Sequence, residues 1–149
     1  SSGCMYLKTF EELSKNELYS LAQLRQKVFI VEQNSIYHDL DDYDQEAIHY
    51  LDFDQSGKLT VYARYRLVES SNEVKIERVV LDKSVRGKGQ GKRLMKLILN
   101  DINLNFSNAS IVLSAQLEVC SFYRSLGFVT QGEAYDDGGI EHISMFYQQ

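Results

Sequence analysis

Residues 85–91 read VRGKGQG: Arg86, Gly87, Lys88, Gly89, Gln90 and Gly91 follow Val85, and Lys92 and Arg93 come next. Glycine lets the backbone take shapes that other residues resist, so N–H groups in such a loop can close around a ligand. The cations beside them make an anion the natural ligand. A strand-like run, VKIERVVL, precedes the loop. A run with Leu94, Leu97, Ile98 and Ile102 at helical spacing follows it. A loop placed between a strand and a helix aims N–H groups and the positive end of the helix dipole at that anion.

Two familiar phosphate loops do not fit. The pattern G-x-x-x-x-G-K-[ST] needs glycine where Arg86 stands and serine or threonine where Arg93 stands. The pattern G-x-G-x-x-G needs its third glycine at Lys92. A kinase glycine loop lies between two strands, whereas this one leads into a helix. What remains is R-x-x-G-x-G, made by Arg86, Gly89 and Gly91.

Other chemistry-bearing residues are more scattered. Residues 39–46, DLDDYDQE, are acidic and could attract a cation. They do not make an EF-hand loop, because Asp44 and Tyr50 stand where glycine and glutamate are required. His38, His49 and His142 have no close ligand spacing with the cysteines, so no metal site is expected. Cys120 lies among helical apolar residues with no base nearby in sequence, and reads as core.

The chain has 149 residues, 44% hydrophobic and 25% charged, which suggests one soluble domain with a sizeable core. SSGC before Met5 reads as a cloning scar, leaving 5–149 as the domain. Net charge is −5, so bulk attraction to nucleic acid is not expected. No apolar run approaches the length of a membrane span. With Cys120 the only cysteine outside the scar, a reducing, cytoplasmic setting is expected.

Seven strands and the helices between them must position these residues. Strands are expected at 5–10, 47–53, 59–68, 74–81, 111–116, 128–135 and 140–147. Ser14 and Glu17 form a capping box that starts a helix carrying Leu18, Leu21, Leu24 and Val28. Residues 31–44 read as a long loop or broken helix. A second helix starts at Gln90, and a third spans 117–126 with Gly127 at its end. DDGG makes the last hairpin turn. The order β-α-βββ-α-β-α-ββ is that of a mixed α/β (α+β) sheet.

The strand-loop-helix run RVVLDKSVRGKGQGKRLM, with FYRSLGF at 122–128 and the element order from Met5 onward, resembles the GNAT N-acetyltransferases. LRQKVFIVEQNSIYHDLD and YDDGGIEHISM are similar to the ElaA-like branch of that superfamily, which often has proline where Glu141 stands. The resemblance implies the acyl-CoA N-acyltransferase fold, with six to seven strands and about four helices, and acetyl-CoA as cosubstrate. It implies that the N–H groups of 87–91 hold the coenzyme A pyrophosphate, with Arg86, Lys88, Lys92 and Arg93 meeting its phosphates. It also implies that Val79, Val80 and Leu81 pair with the pantetheine arm, across a splay between their strand and IVLSAQ. An N–H near Val79 or Val80 would then stabilise the oxyanion.

By the same resemblance, Tyr123 is the acid toward the departing thiolate, and Glu77 is the candidate base, with Glu118 second. Strict alternation would send Glu77 and Arg78 to opposite faces. Glu32, Gln33, Tyr37, Asp41, His49 and His142 are the branch-specific candidates for acceptor recognition. Arg64 would bind an acceptor carboxylate or pair with a nearby acid. The implied reaction moves an acetyl group to a primary amine of a small molecule. A protein lysine or N-terminus is the alternative acceptor, and a non-catalytic acyl-CoA sensor is the alternative class. The C-terminal hairpin offers an edge strand through which a homodimer could pair.

Overall fold

The computed structural model describes residues 4–149. Ser1, Ser2 and Gly3, from the stretch read as a cloning scar, lie outside the described residues. The strands are β1 (Met5–Thr9), β2 (Ile48–Phe53), β3 (Leu59–Val68), β4 (Glu73–Leu81), β5 (Ser110–Gln116), β6 (Phe128–Asp137) and β7 (Ile140–Tyr147). They form one sheet in the order β1-β2-β3-β4-β5-β7-β6. All pairs are antiparallel except β4 and β5. The α-helices are α1 (Lys15–Arg25), α2 (Gln90–Asn105) and α3 (Cys120–Ser125). The sheet is therefore mixed, as expected, with three α-helices among the described residues.

Local chemistry explains most boundaries. Ser14 Oγ accepts from the Glu17 N–H at 3.0 Å, and Glu17 Oε1 accepts from the Ser14 N–H at 2.8 Å, so both halves of the capping box are made. Beyond Arg25 the helix widens into a π-helix, Gln26–Glu32, and the segment expected to be loop or broken helix begins inside it. Gly138 and Gly139 take φ of 63° and 85°, which suits the two-residue turn between β6 and β7.

The core has two parts, one on each face of the sheet. Leu94, Met95, Ile98 and Ile102 of α2 pack with Val61, Ala63 and Tyr65 of β3, Val74 and Ile76 of β4, and Leu113 and Ala115 of β5. Tyr123 of α3 belongs to this face. Leu21, Leu24 and Val28 pack against Leu51, Leu59, Tyr62 and Val80 on the other. Truncating a residue such as Ile98 to alanine costs about 2–5 kcal/mol.

Two irregularities in β4 shape the middle of the sheet. Tyr62 faces Val80 and Arg64 faces Glu77, so Arg78 and Val79 together stand opposite Ala63 alone. Arg78 has φ of 57°, the left-handed region, which completes a β-bulge. The bulge reverses the alternation. Val74 and Ile76 meet the α2 face, yet beyond the bulge it is Val79 and Leu81 that do so, while Val80 meets the α1 face. Pairing between β4 and β5 also stops at Ile76 and Leu113, although both strands continue. The implied splay is present, and it opens just before the bulge.

Candidate active site

A cleft of about 1200 Å³ runs through the gap between β4 and β5. At one end lies the glycine loop, and at the other lie the segment after α1 and the β6–β7 hairpin. Gly87 and Gly89 have φ of 75° and 79°, with open space where a side chain would stand. Gly89 starts α2 with no side-chain cap, so the first N–H groups of that helix stay free for a ligand. Gly91 has a different role: a Cβ there would sit 3.3 Å from the Phe122 ring. Gln90 Oε1 is buried without a partner among the described residues. A loop of free N–H groups beside an unpaired strand edge fits a phosphate joined to an amide-bearing arm.

Of the residues assigned to the donor, Val79, Val80, Leu81, Arg86, Gly87, Gly89, Gln90, Gly91 and Lys92 line the cleft. Lys88 turns away, its Nζ donating to the Ser84 carbonyl at 3.2 Å. Arg93 faces Asp52 at 3.6 Å. Arg86 is engaged on two sides. Nε donates to the Leu81 carbonyl at 3.0 Å, and the guanidinium holds both carboxylate oxygens of Glu32, at 2.5 and 3.1 Å.

Tyr123 lines the cleft from α3, in edge contact with Phe122 and Phe128. Its hydroxyl has no hydrogen-bond partner among the described residues. Burial pushes the phenol up to about 12, so the proton stays on oxygen at neutral pH and is always available for donation.

Glu77 and Arg78 both line the cleft, contrary to the alternation expected of them, because the bulge falls between their neighbours. Glu77 is not free. Oε1 accepts from Arg66 Nε at 2.7 Å and Arg64 Nε at 3.3 Å, and Oε2 accepts from Arg66 at 3.4 Å. A carboxylate held by two guanidiniums is a counter-ion first.

The acidic run is not a solvated patch that draws in a cation. Asp44 Oδ1 accepts from Arg25 and from Arg64, each at 2.7 Å. Asp41 takes both oxygens to Arg64, at 2.9 and 2.7 Å, and also meets Arg78 at 3.0 Å. Asp39 pairs with Arg25 and Arg78, both at 2.9 Å. Arg25 and Arg64 are fully buried. Burial alone would raise the Asp41 and Asp44 carboxyls. The guanidiniums outweigh it, holding Asp41 down at about 2 and Asp44 below its ordinary value.

Arg64 therefore pairs with acids rather than facing an acceptor, and it lies outside the cleft. His49 is also outside it, fully buried. Its Nε2 donates to the Asp44 carbonyl at 2.8 Å and Nδ1 accepts from the Tyr62 hydroxyl at 2.6 Å. Burial lowers its pKa and keeps the ring neutral.

Glu32, Gln33, Tyr37 and His142 do line the cleft, as does Glu118. Gln33 Oε1 accepts from Gln116 Nε2 at 3.0 Å, tying the covering segment to β5. Ser35 Oγ donates to the Gly138 carbonyl, tying the same segment to the hairpin. Tyr37 donates to Asp39 at 3.1 Å, and burial lifts its phenol to about 12. Ser114, Gln116, Tyr135 and Phe122 also line the cleft and had not been singled out. The signal for two of them was present in IVLSAQ: its apolar positions 111, 113 and 115 alternate with a row ending in Ser114 and Gln116.

Known proteins are similar to this chain in sequence and fold. The Acetyltransferase (GNAT) domain family matches residues 11–148. Protein ElaA of Escherichia coli is 37% identical over 137 residues, covering 90% of this chain and 89% of that protein. A UPF0039 protein of Schizosaccharomyces pombe is 38% identical over 139 residues, covering 93% of this chain and 92% of its own. The crystal structures of an acyl-CoA N-acyltransferase from Pseudomonas aeruginosa and of Escherichia coli ElaA each superpose with a TM-score of 0.92 at 33% identity. Each match covers 99% of this chain and 100% of the other.

Proposed function

We propose, from the premise that this chain belongs to the GNAT acetyltransferase family, that it transfers an acetyl group from acetyl-CoA to a primary amine by direct attack in a ternary complex. As a GNAT member it is an acyltransferase, and the family uses acyl-CoA as cosubstrate. One observation carries the finer reading: a single cleft joins the glycine loop, the unpaired edge of β4 and Tyr123.

On this reading the loop N–H groups, Arg86 and Lys92 hold the pyrophosphate. The edge of β4 from Val79 to Leu81 pairs with the amide arm, and an N–H at Val79 or Val80 faces the developing oxyanion. Such a donor contributes about 2.7–4 kcal/mol to catalysis. Tyr123 donates its proton to the departing sulfur. Glu77 fixes the floor of the cleft through Arg64 and Arg66. Gln33, Tyr37, Gln116 and His142 border the space left for the acceptor, which we take to be a small molecule. The acidic run contributes no free charge to that choice, because Asp39, Asp41 and Asp44 are paired internally.

The test measures thiol release from acetyl-CoA across polyamines, amino acids and lysine peptides. Acceptor-dependent release is expected, with a free small amine outpacing a peptide. Tight coenzyme A binding without release from any acceptor would favour a sensor instead. No rise in melting temperature with coenzyme A would remove the donor site itself.

A further inference from the structure

We infer that His142 is the general base that takes the acceptor amine's proton, an assignment that rests on the transfer reading above. The hydrogen bonding fixes its tautomer. Nδ1 lies 2.8 Å from the Ile140 carbonyl oxygen, which can only accept, so Nδ1 carries the hydrogen. In the neutral ring Nε2 then keeps its lone pair, and Nε2 has no partner among the described residues. His49 has the opposite arrangement, with both nitrogens engaged and the ring sealed from the cleft.

The ring is also held in place. It stacks on Tyr135, with centroids 6.2 Å apart and planes 28° from parallel, and the Tyr135 hydroxyl is bonded to Ser114. His142 stands directly across from Gln116, so the two side chains share a face of the sheet. That is the face away from Leu113 and Ala115, the side covered by α1 and the segment after it. Tyr123 approaches from the α2 side. Base and acid thus line one cleft from opposite faces of the sheet. An amine enters from one side while the sulfur leaves toward the other.

The charged and titratable groups sharing this part of the cleft are Tyr135 and Asp137 of β6, Glu77 and Arg78 of β4, Glu118 beyond β5, and Tyr37. Glu77 and Arg78 are tied into the ion-pair network, and Tyr37 and Tyr135 are hydrogen-bonded.

The step balances. The amine lone pair forms the C–N bond to the thioester carbonyl carbon, and the N–H proton passes to Nε2 of His142. The C–S bond breaks with its electron pair on sulfur, which takes the phenolic proton of Tyr123. Solvent carries the proton from His142 back to Tyr123 before the next turnover.

The experiment compares pH profiles of kcat/KM for wild type, His142→Gln and Glu77→Gln. The acceptor is whichever panel amine gives the fastest release, with hydrolysis by water measured alongside. The expected result is a fall of at least about hundredfold in His142→Gln, loss of the acidic limb in that variant, and its persistence in Glu77→Gln. His142→Ala should regain part of its rate with added imidazole, which a structural role would not allow. A His142→Gln enzyme that folds, shows the normal coenzyme A shift in melting temperature and keeps the limb would overturn the base. Loss of the limb in Glu77→Gln alone would move the role to Glu77. Wild type that binds acetyl-CoA yet releases no thiol with any amine would overturn the transfer reading, and the base with it.

Discussion

Arg25 of α1 and Arg64 of β3 meet on one atom, Oδ1 of Asp44, each at 2.7 Å. Both guanidiniums are fully buried, so neither can find water in place of that oxygen. Replacing Asp44 by Asn leaves two buried cations short of a counter-charge. The expected loss is about 3–5 kcal/mol of folding stability, read from urea denaturation midpoints at neutral pH. An unchanged midpoint would mean that Asp39 and Asp41 neutralise both arginines unaided.

The same network sets the response to acid. Asp41 and Asp44 of that network, and separately Asp82, which Lys27 holds at 2.8 Å, titrate lower when folded than when unfolded, where an aspartyl carboxyl sits at about 4. Their stabilisation is therefore complete above about pH 4 and is lost as pH falls toward about 2, where Asp41 titrates. His49, lowered by burial, acts in the same direction but earlier, beginning below its ordinary range near about 6.5. Melting temperatures measured from pH 8 to pH 3 should show a shallow decline followed by a steep one. A profile rising toward acid would show that these carboxylates and His49 do not stabilise the fold in this way.

Tyr123→Phe should separate chemistry from folding. The hydroxyl has no protein partner among the described residues, so removing it should move stability by less than about 0.5 kcal/mol. Turnover should fall by about 10²–10⁴ if the phenol is the acid, while the coenzyme A dissociation constant stays near wild type. Unchanged turnover would leave Tyr123 as packing between Phe122 and Phe128.

The loop cations should not be equivalent. Arg86→Ala should weaken coenzyme A binding about tenfold, the worth of one charge-assisted contact at a partly exposed site. Lys88→Ala should leave it near wild type, since Lys88 points to the Ser84 carbonyl. Glu32→Gln should tighten it a few-fold by freeing Arg86 from its present carboxylate partner. Isothermal titration of the three variants reads all of this, and equal losses at Arg86 and Lys88 would refute the distinction.

Gly89→Ala tests backbone conformation alone, because nothing stands within 4 Å of the added carbon while φ is 79°. The expected cost is about 1–2 kcal/mol of stability, together with weaker coenzyme A binding. A loss of affinity with no change in melting temperature would assign the effect to the free N–H groups rather than to strain.

Much of this architecture was legible before any coordinates. β3 and β7 have the bounds their β-forming runs suggest, and the Ser14–Glu17 box starts α1 where its pattern places it. The glycine loop was legible because glycine spacing and flanking elements are local signals. The buried ion-pair network was not, for physical reasons. Asp39 to Glu46 look like a free acidic surface until Arg25, Arg64 and Arg78 converge on them from α1, β3 and β4. Nothing local announces a buried arginine whose partners lie 14 to 20 residues or more away. The alternation of Glu77 and Arg78 failed at a bulge that a VKIERVVL run does not reveal, since no glycine marks it.

That bulge has a consequence for how β4 tolerates change. Positions 74 and 76 face the α2 core, and so do 79 and 81; a substitution scan along the strand should therefore show a phase slip, with even positions demanding apolar residues before Arg78 and odd ones after it. Removing one residue at 78 or 79 would bring the two halves back into phase. It would also return β4 to a uniform strand able to continue its ladder with β5 past Ile76 and Leu113. The opening through the sheet lies beside one surplus residue, and a deletion there is expected to lengthen the β4–β5 ladder, with loss of the Arg78 pairs to Asp39 and Asp41 if Arg78 is the residue removed.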